Sequence, residues 1–395
     1  MHPVFVVLTA LSILLNLPVI HLGIIFLFNL RKRVPFAAAA PNTRFAVLVP
    51  ARNEENVIAN LIRAIRAQDY PADKIDVYVA VNHCTDATAE LARREGARIL
   101  NCSDGVRCKG DVLHEAIETL LPMPYDAYAI FDADNLPAPD FFQRMNDALA
   151  AGERVCRSRL KAGNATESWV SGCYGLYHAL MEFTYSQPHT LAGFSSNLVG
   201  TAFVIHREVL ERMNGWNTIS ICEDSEFAAQ CSRMGVRVCF VPEALSYDEQ
   251  VARFGTSLRQ RRRWCYGMVQ ASRVMLGSMF SRRCVNRAMA RDFGMILLMA
   301  NTMPIAALIG AVAMCFQLPQ ALLMGIGGLA LSWIGLTLAG WLMCRLGGYR
   351  TRDMIGAILL NPLFTFSWMP LQVMALFVPV RQWSYIAHNG QRIDR

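Results

Sequence analysis

Apolar residues concentrate at the two ends of the chain, whereas the middle alternates apolar and polar positions like a soluble α/β domain. A nearly unbroken apolar run covers residues 4–28, and Arg31, Lys32 and Arg33 follow it directly. This run is long enough to cross a bilayer as a helix. Because basic residues collect on the cytoplasmic side of a span, the pattern predicts an N-terminus outside and a cytosolic chain from residue 31.

Three further apolar runs follow the middle region, at about residues 293–316, 321–344 and 354–380. Residues 317–320 are predicted to form a tight turn outside the membrane, and the arginines of the next loop place that loop inside. Three prolines interrupt the last run, which leaves open whether it spans the membrane, re-enters it or lies on its surface. The arginines of residues 381–395 favour a cytosolic tail.

Strand-like and helix-like patterns alternate between residues 44 and 250. Buried strands are predicted at residues 45–49, 76–81 and 127–131, which indicates an α/β fold with a mostly parallel sheet covered on both faces. Ligands of such sheets bind at the carboxyl ends of the strands. The polar side chains that fall at or just beyond those ends are Asn53, Asn82, Asp86, Asp132 and Asp134. A ligand site is therefore expected at this edge.

Two helix starts are predicted beside these strand ends. Asn53 is expected to cap a helix whose first turn carries Glu54 and Glu55, because acidic residues are stabilised at the positive end of the helix dipole. Thr85 is expected to cap a second helix that runs to Arg94.

The composition narrows the functional class. Hydrophobic residues make up 53% of the 395 residues and charged residues 17%, which is unusually apolar for a soluble protein. The net charge of +7 is explained by arginines beside the apolar runs, and without a recognition motif it predicts no nucleic-acid partner. Twelve cysteines with no CxxC pair in the central region are typical of a reducing compartment rather than of a disulfide framework.

Two acidic motifs are candidates for chemistry. The triplet Asp132-Ala133-Asp134 follows the third strand, where alternate carboxylates can face one cation such as Mg²⁺ or Mn²⁺ holding a diphosphate. The alternative is a solvated loop with a helix cap before Pro137. Glu223 and Asp224 open a helix predicted to reach Met234. A carboxylate there can act as a general base, or it can simply cap the helix.

A third motif, at residues 260–264, combines three arginines with a tryptophan. On a helix Gln260 and Trp264 share a face, and Arg263 lies close to it. Arginine offers a forked donor to phosphate, and the indole ring offers a platform for a sugar. The alternative is a basic helix at the membrane interface, which needs no catalytic explanation.

Taken in order, the motifs N-E-E, C-T-D, K-G, D-x-D, E-D and Q-x-x-R-W resemble those of the family 2 inverting glycosyltransferases. Within that family the chain is similar to the membrane-integrated branch of cellulose, hyaluronan and chitin-type synthases and ceramide glucosyltransferases. The resemblance covers roughly residues 44–270. It implies a GT-A type, Rossmann-like domain with transmembrane helices, a UDP-sugar as donor and Mg²⁺ or Mn²⁺ as cofactor.

The resemblance also implies a donor site at the sheet edge. Residues 50–55 look like the first nucleotide-binding loop, and Asn82 stands where the family usually has an acidic residue for the base. Asp132 and Asp134 match the ribose and metal carboxylates. The donor-binding candidates are Pro50, Arg52, Asn53, Glu54, Asn82, Asp86, Lys109 and Asp132.

The acceptor and catalytic candidates come from the remaining motifs. Cys222-Glu223-Asp224 matches a T-E-D motif with cysteine in the threonine place, which makes Asp224 the candidate base and Glu223 the next. The residues matched to the diphosphate and the acceptor are Gly200, Thr201, Gln260, Arg263 and Trp264. Residues 383–388 resemble a W-x-x-x-x-H segment that closes over the donor in related enzymes.

The activity predicted first is sugar transfer, with inversion, to a growing polysaccharide, coupled to its export. Single-sugar transfer to a lipid is the alternative. The predicted organisation is a membrane helix at 1–30, a cytosolic GT-A domain at 31–255, interfacial helices at 256–290, membrane helices at 291–380 and a gating tail at 381–395. The expected location is a bacterial inner membrane. A homo-oligomer is left open.

Overall fold

The structure is a computed structural model that describes residues 3–316 and 318–380. Two predictions therefore fall wholly or partly outside it. The donor-closing segment at 383–388 lies beyond the described residues, and so does Gln317 of the predicted turn. The rest of that turn is helical, because the helix α13 begins at Leu318.

Eight strands form one sheet at the centre of the chain. They are β1 Phe45–Ala51, β2 Ile75–Val81, β3 Arg98–Asn101, β4 Ala127–Ile130, β5 Leu136–Pro137, β6 Val155–Ala162, β7 Phe203–His206 and β8 Val238–Asp248. Their order is β3-β2-β1-β4-β7-β6-β8-β5. The first four strands are parallel. The other half is mixed, because β7 runs antiparallel to both β4 and β6 while β6 and β8 are parallel. The predicted parallel sheet thus holds for the half that carries the first motifs.

Fifteen α-helices are described around and after this sheet. They are α1 Pro3–Leu15, α2 Leu17–Phe26, α3 Ile58–Arg66, α4 Thr88–Arg94, α5 Lys109–Leu120, α6 Phe141–Ala150, α7 Trp169–Met181, α8 Gln187–Ala192, α9 Arg207–Met213, α10 Glu223–Arg233, α11 Phe254–Met279, α12 Arg287–Cys315, α13 Leu318–Leu346, α14 Ile355–Phe366 and α15 Trp368–Phe377. A π-helical turn, Glu182–Ser186, joins α7 to α8.

Both faces of the sheet are buried, as the apolar strands predict. Side chains alternate along a strand, so Ala46 and Leu48 of β1 enter one core layer while Phe45, Val47 and Val49 enter the other. Helices α5, α10 and α11 cover the first layer, and α3 and α6 cover the second. This two-sided burial leaves the carboxyl ends of the strands as the place where polar groups can collect.

The terminal apolar runs form long helices. Among the described residues, Arg287–Cys315, Gly325–Leu346 and Ile355–Phe377 are each long and apolar enough to cross a membrane. The pair Pro3–Leu15 and Leu17–Leu30 passes the same test together, although it bends by 45°. The prolines of the last run do not exclude a span, because α14 and α15 meet at Ser367 and continue as one stretch.

Both predicted helix starts are wrong. Helix α3 begins at Ile58, and Asn53 instead takes a left-handed conformation with φ 57°. Its side-chain oxygen accepts a hydrogen bond of 2.8 Å from the backbone N–H of Thr85, which ties the two loops together. Helix α4 begins at Thr88, whose backbone N–H donates to the Asp86 carboxylate at 3.1 Å. The contact between the two loops, rather than the helix-capping propensity of Asn53 and Thr85, therefore decides where the two helices begin.

A buried acidic side chain joins the N-terminal helices to the rest of the molecule. Asp292 of α12 is 2% exposed, and its Oδ1 lies 2.7 Å from Nε2 of His21 in α2 and 3.5 Å from Nε2 of His189 in α8. Desolvated charges of this kind are tolerated only when they are paired. Three elements that are distant in sequence therefore depend on one carboxylate.

Replacing Asp292 should destabilise the protein. In Asp292→Leu the two imidazoles lose their shared partner, and removal of one member of a buried pair typically costs about 3–5 kcal/mol. Thermal unfolding of the detergent-solubilised protein should show a clearly lower midpoint. The matched control is Asp353→Leu, whose side chain is 39% exposed and pairs only with Arg352 at the surface. Equal midpoints for the two variants would contradict a stabilising role for Asp292.

Candidate active site

A cavity of about 890 Å³ opens at the carboxyl ends of the parallel strands and continues to helices α2, α12 and α15. Most residues predicted from the motifs line it: Pro50, Arg52, Glu54, Asn82, Lys109, Asp132, Asp134, Gly200, Thr201, Glu223, Asp224, Gln260, Arg263 and Trp264. Asn53 and Asp86 are not among the lining residues, because their side chains hold the two loops and cap α4. Direct donor contact by those two residues stays a prediction.

Asn82 is placed to recognise a polar ligand group. It follows β2 directly, is 6% exposed and lines the cavity. Its Oδ1 is buried without a hydrogen-bond partner in the part of the chain that the structure describes. A buried polar atom in that state costs free energy until a partner is supplied. This amide therefore suits the hydrogen-bonding edge of a nucleobase.

Lys109 connects three of the predicted motifs. Its ammonium group bonds the Asp132 carboxylate and donates to the carbonyl oxygen of Gly200 at 2.7 Å. Burial lowers the pKa of Lys109, but the nearby carboxylates of Asp132, Glu223 and Asp224 outweigh it and raise that pKa above its ordinary value. The Lys109 ammonium group is thus a positive charge held among several carboxylates.

A third carboxylate joins the D-x-D pair at the end of β8. Burial, and then the charges of Asp134 and Asp132, raise the pKa of the Asp248 carboxyl well above its usual range. Asp248 is 7% exposed, and its Oδ1 has no hydrogen-bond partner among residues 3–316 and 318–380. The backbone N–H of Glu249 donates to Asp134 Oδ2 at 3.2 Å, which fixes the two chain segments side by side.

These carboxylates fit a divalent cation. Bound at Asp134 and Asp248, a cation would relieve the charge repulsion and satisfy the unpartnered oxygen of Asp248. In the described ranges no group of three or more His, Cys, Asp or Glu side chains could hold a metal ion by itself. Mg²⁺ is commonly held by one or two carboxylates together with the phosphates of a substrate.

Glu223 and Asp224 lie near Lys109, in the first turn of α10 as predicted. The backbone N–H of Ser225 donates to Asp224 Oδ1 at 2.7 Å. Burial raises the pKa of both carboxyls above their ordinary values, and for Glu223 the charge of Asp224 adds to the effect. Gly200 has φ +78°, which favours glycine, and a Cβ there would lie 3.7 Å from Asp224 Oδ2. Two further carboxylates therefore border the cavity beside Gly200.

Helix α11 is held against α10 by a close contact. A Cβ on Gly267 would meet the Cys222 sulfur at 2.3 Å, so only glycine allows this approach. The Cys222 thiol in turn donates to the carbonyl oxygen of Trp264 at 3.6 Å. Cysteine in the threonine place of the motif therefore joins the E-D helix to the Q-x-x-R-W helix.

The arginines of α11 have different environments. Arg263 lines the cavity with Gln260 and Trp264, and the Gln260 side-chain oxygen accepts a hydrogen bond of 2.8 Å from Tyr174. Arg261 is 0% exposed and donates to the Phe364 carbonyl oxygen at 2.9 Å, at the junction of α14 and α15. The interfacial-helix alternative does not account for this buried position.

Sequence reasoning missed several groups that line the cavity, and two of them are Asp248 and Trp368. Asp248 could have been found by the strand-end rule that identified Asp132, but β8 was not assigned as a strand. Trp368, at the start of α15, lies against Trp264 with ring centroids 6.3 Å apart. No local pattern distinguishes it from an ordinary tryptophan in an apolar run.

The half-parallel sheet, the acidic turn after β4 and the buried carboxylates of α10 define a nucleotide-sugar glycosyltransferase domain of the GT-A type. Residues 41–267 match the sequence profile of the family described as glycosyltransferase like family 2, and the chain belongs to this family. The mannosyltransferase PcManGT from Pyrobaculum calidifontis, solved with GDP-Man and Mn²⁺, has the same fold. Its TM-score is 0.63 over 91% of this chain and 99% of that chain, at 22% identity.

Curated relatives have several activities. The beta-monoglucosyldiacylglycerol synthase of Synechocystis sp. is 25% identical over 59% of this chain and 50% of its own length. Glucomannan 4-beta-mannosyltransferase 7 of Arabidopsis thaliana is 26% identical over 68% and 52%. The UDP-forming cellulose synthase 1 catalytic subunit of Komagataeibacter xylinus is 24% identical over 62% and 34%. This chain spans about half the length of the curated relatives it matches, or less.

The role of Asp248 can be tested by metal binding. Asp248→Asn keeps the shape of the side chain but removes its charge, and loss of a group that supports a metal site typically costs about 10- to 100-fold in metal affinity. Mn²⁺ titrations with a nucleoside diphosphate present, followed by thermal shift, should need correspondingly more metal. The control is Asp140→Asn, whose exposed carboxylate pairs with Arg144. An unchanged titration for Asp248→Asn would remove this residue from the metal site.

Proposed function

We propose that the protein transfers one sugar, with inversion, from a nucleotide-sugar to a hydroxyl group of a membrane lipid. The observation that carries this proposal is the continuous cavity between the carboxylates and the apolar terminal helices. Its apolar part, called the lipid limb here, is lined by Val19, Leu22, Gly23, Phe26, Met181, Met268, Phe293, Ile296, Met299, Ala300 and Met303. An acyl or isoprenoid chain fits such walls, whereas a hydrated sugar chain needs polar groups.

The polar end of the cavity suits the donor. Asn82 provides a hydrogen-bonding group for the base, and Asp132, which Lys109 holds in place, is proposed to bind the ribose. Arg263 lies across the cavity, where a guanidinium group can neutralise charge on the leaving diphosphate. The donor proposed is a UDP-sugar. When bound at Asp134 and Asp248, Mg²⁺ or Mn²⁺ supplies further positive charge to the diphosphate.

The transfer step uses Asp224 as general base. Its carboxylate takes the proton of the acceptor hydroxyl while that oxygen forms a bond to the anomeric carbon. The bond from this carbon to the diphosphate oxygen breaks, and its electron pair leaves with the nucleoside diphosphate. A single displacement from the opposite side inverts the anomeric carbon and requires no nucleophile from the enzyme.

The proposed setting is a bacterial inner membrane with the catalytic domain on the cytosolic side. The basic residues 31–33 after the first apolar run support this orientation. All 12 cysteines are free, which agrees with a reducing compartment.

A polysaccharide acceptor is the second candidate. It is favoured by aromatic rings at the middle of the cavity, since Tyr177, Trp264 and Trp368 can stack on sugars. Relatives that carry the names of cellulose synthase and glucomannan mannosyltransferase support it as well. The lipid limb gives the lipid acceptor the stronger case.

Substitution of the proposed base and substitution of the proposed metal ligand should have different effects on turnover and on donor affinity. Asp224→Asn should lower turnover about 100- to 10,000-fold with little change in donor affinity, because proton transfer matters only in the transition state. Asp134→Asn should also weaken donor binding. Donor affinity and turnover measured in nanodiscs separate the two effects. If Asp224→Asn turns over within a few-fold of the parent, Asp224 only caps its helix and Glu223 becomes the candidate.

The pH profile gives an independent check on Asp224. A base must be deprotonated, so turnover should fall as the pH falls through its pKa. Because burial raises that pKa, the acid limb should lie above the value of about 4 of an ordinary aspartate. Kcat measured against pH in the parent should show this limb. An acid limb at the ordinary value would contradict a perturbed aspartate as the base.

Blocking the lipid limb should stop transfer without stopping donor binding. At Gly23 no heavy atom lies within 4 Å of an added Cβ, so the ring of Gly23→Phe can enter the limb without striking the backbone. Lipid product should decrease, while nucleotide affinity should stay at the parent value. Gly328→Phe is the matched control, since an added Cβ there also meets nothing and the site lies on exposed α13.

The product decides between the two acceptors. Incubation with a panel of nucleotide-sugars, followed by extraction and mass spectrometry, should give a lipid that is one sugar heavier. A long saccharide, with Gly23→Phe as active as the parent, would overturn the lipid proposal and favour the polysaccharide.

A further inference from the structure

One face of α7 and of the π-helical turn that follows it lines the cavity along its length. Tyr177 and His178 of α7, then Met181, then Thr184 and Tyr185 of the π-helical turn, all line it. At a rise of about 1.5 Å per residue these positions extend over about 12 Å. Functional sites often contain such π-helical turns. Tyr177 and His178 lie between the reaction centre and the lipid limb, and this level of the cavity is called the middle layer here.

The aromatic side of this middle layer is built from three helices. Trp368 of α15 stacks on Tyr177 of α7, with centroids 5.4 Å apart and planes at 25°, and on Trp264 of α11 at 6.3 Å and 23°. Arg261 fixes this arrangement, because it donates to Ser367 Oγ at 2.9 Å and its guanidinium lies 5.2 Å from the centre of the Trp368 ring. A tryptophan that anchored the protein in the interface would face lipid, whereas this one lines the cavity.

The polar side of the same layer consists of His178 and Asn197. Asn197 Oδ1 accepts hydrogen bonds from Arg157 at 3.1 Å and Ser186 at 3.2 Å, which leaves its amide N–H group for the cavity. Glu182 holds Arg157 in place at 3.5 Å. His178 is 7% exposed, and its Nε2 has no partner within the described part of the chain.

His178 is uncharged at neutral pH. Burial, with a contribution from the Arg157 charge, lowers the pKa of His178 to about 3. A neutral imidazole offers one donor and one acceptor, which matches a hydroxyl group rather than a phosphate. Asn197 adds a second neutral donor. The middle layer thus lines the cavity both with aromatic rings and with neutral groups suited to hydroxyls.

We propose that the acceptor is a lipid whose headgroup already carries a sugar, which packs against the rings of Tyr177, Trp264 and Trp368 that line the cavity and bonds His178 and Asn197. A pyranose ring has an apolar C–H face and a rim of hydroxyls, which the two sides of the layer complement. The hydroxyl that loses its proton to Asp224 then belongs to this sugar. The proposal rests on the proposed function for the lipid tail, and it explains why sugar-binding rings and a lipid limb share one cavity.

The test compares matched acceptors with the full chain in nanodiscs. Diacylglycerol, ceramide and polyprenyl phosphate are each supplied with and without one sugar on the headgroup, and kcat/KM is measured with the active donor. The sugar-bearing member of at least one pair should be favoured about tenfold or more, the value of one good aromatic contact with its hydrogen bonds. Equal kcat/KM within the pairs, or preference for the bare lipid, would overturn the proposal and leave lipid transfer intact.

Variants test whether the middle layer causes the preference for the sugar-bearing lipid. Trp368→Leu should raise the KM for the sugar-bearing lipid about tenfold, with nucleotide affinity unchanged and the bare lipid little affected, whereas Trp368→Phe should recover most of the loss. His178→Gln, which keeps polar groups, should be milder than His178→Leu. Trp341→Leu is the control, since Trp341 is 47% exposed on α13.

Failure of the sugar-headgroup proposal can be distinguished from failure of the proposed lipid function. If Trp368→Leu and His178→Leu weaken both members of a pair equally, the middle layer is structural and the sugar-headgroup proposal falls. If no lipid is glycosylated and a free oligosaccharide is extended instead, that proposal and the lipid function fall together.

Discussion

The site depends on the concentration of negative charge around one lysine. Asp132, Glu223 and Asp224 all act on the Lys109 ammonium group, which lies between the D-x-D turn and the E-D helix. Carboxylates so close together in a buried place repel one another unless cations balance them. Burial, with the charges of Asp134 and Asp132, also raises the pKa of Asp248. A metal ion bound with the diphosphate would balance these carboxylates.

Helix α11 transmits this geometry to the terminal helices. Its Gly267 packs on Cys222 beside Glu223 and Asp224. Arg261, on another face of the same helix, holds the junction of α14 and α15. A movement of α11 would therefore displace both Asp224 and Trp368. Within the short Q-x-x-R-W motif, Arg263 lines the cavity while its neighbour Arg261 holds the helices of the apolar wall.

The cavity unites two environments that are usually separate. Its donor end is built by loops at the edge of a soluble-type sheet, and its far end is built by apolar helices. The Asp292 carboxylate, which binds His21 and His189, holds α2 and α8 beside α12 at this far end. A substrate that reaches both ends must be amphipathic.

The sequence by itself determined the α/β class, the parallel half of the sheet, the apolar helices and the motif residues at the donor end of the cavity, because each depends on local periodicity or on a motif at a strand end. Asn53 and Asp86 show what the sequence alone could not decide. Whether a polar side chain faces a ligand or a neighbouring loop depends on contacts between loops. Only the tertiary structure decided that Asp248 joins Asp134, that Arg261 is buried and that Trp368 meets Tyr177. Those pairs are more than 100 residues apart or lie on separate helices, and no local pattern encodes the packing that brings them together.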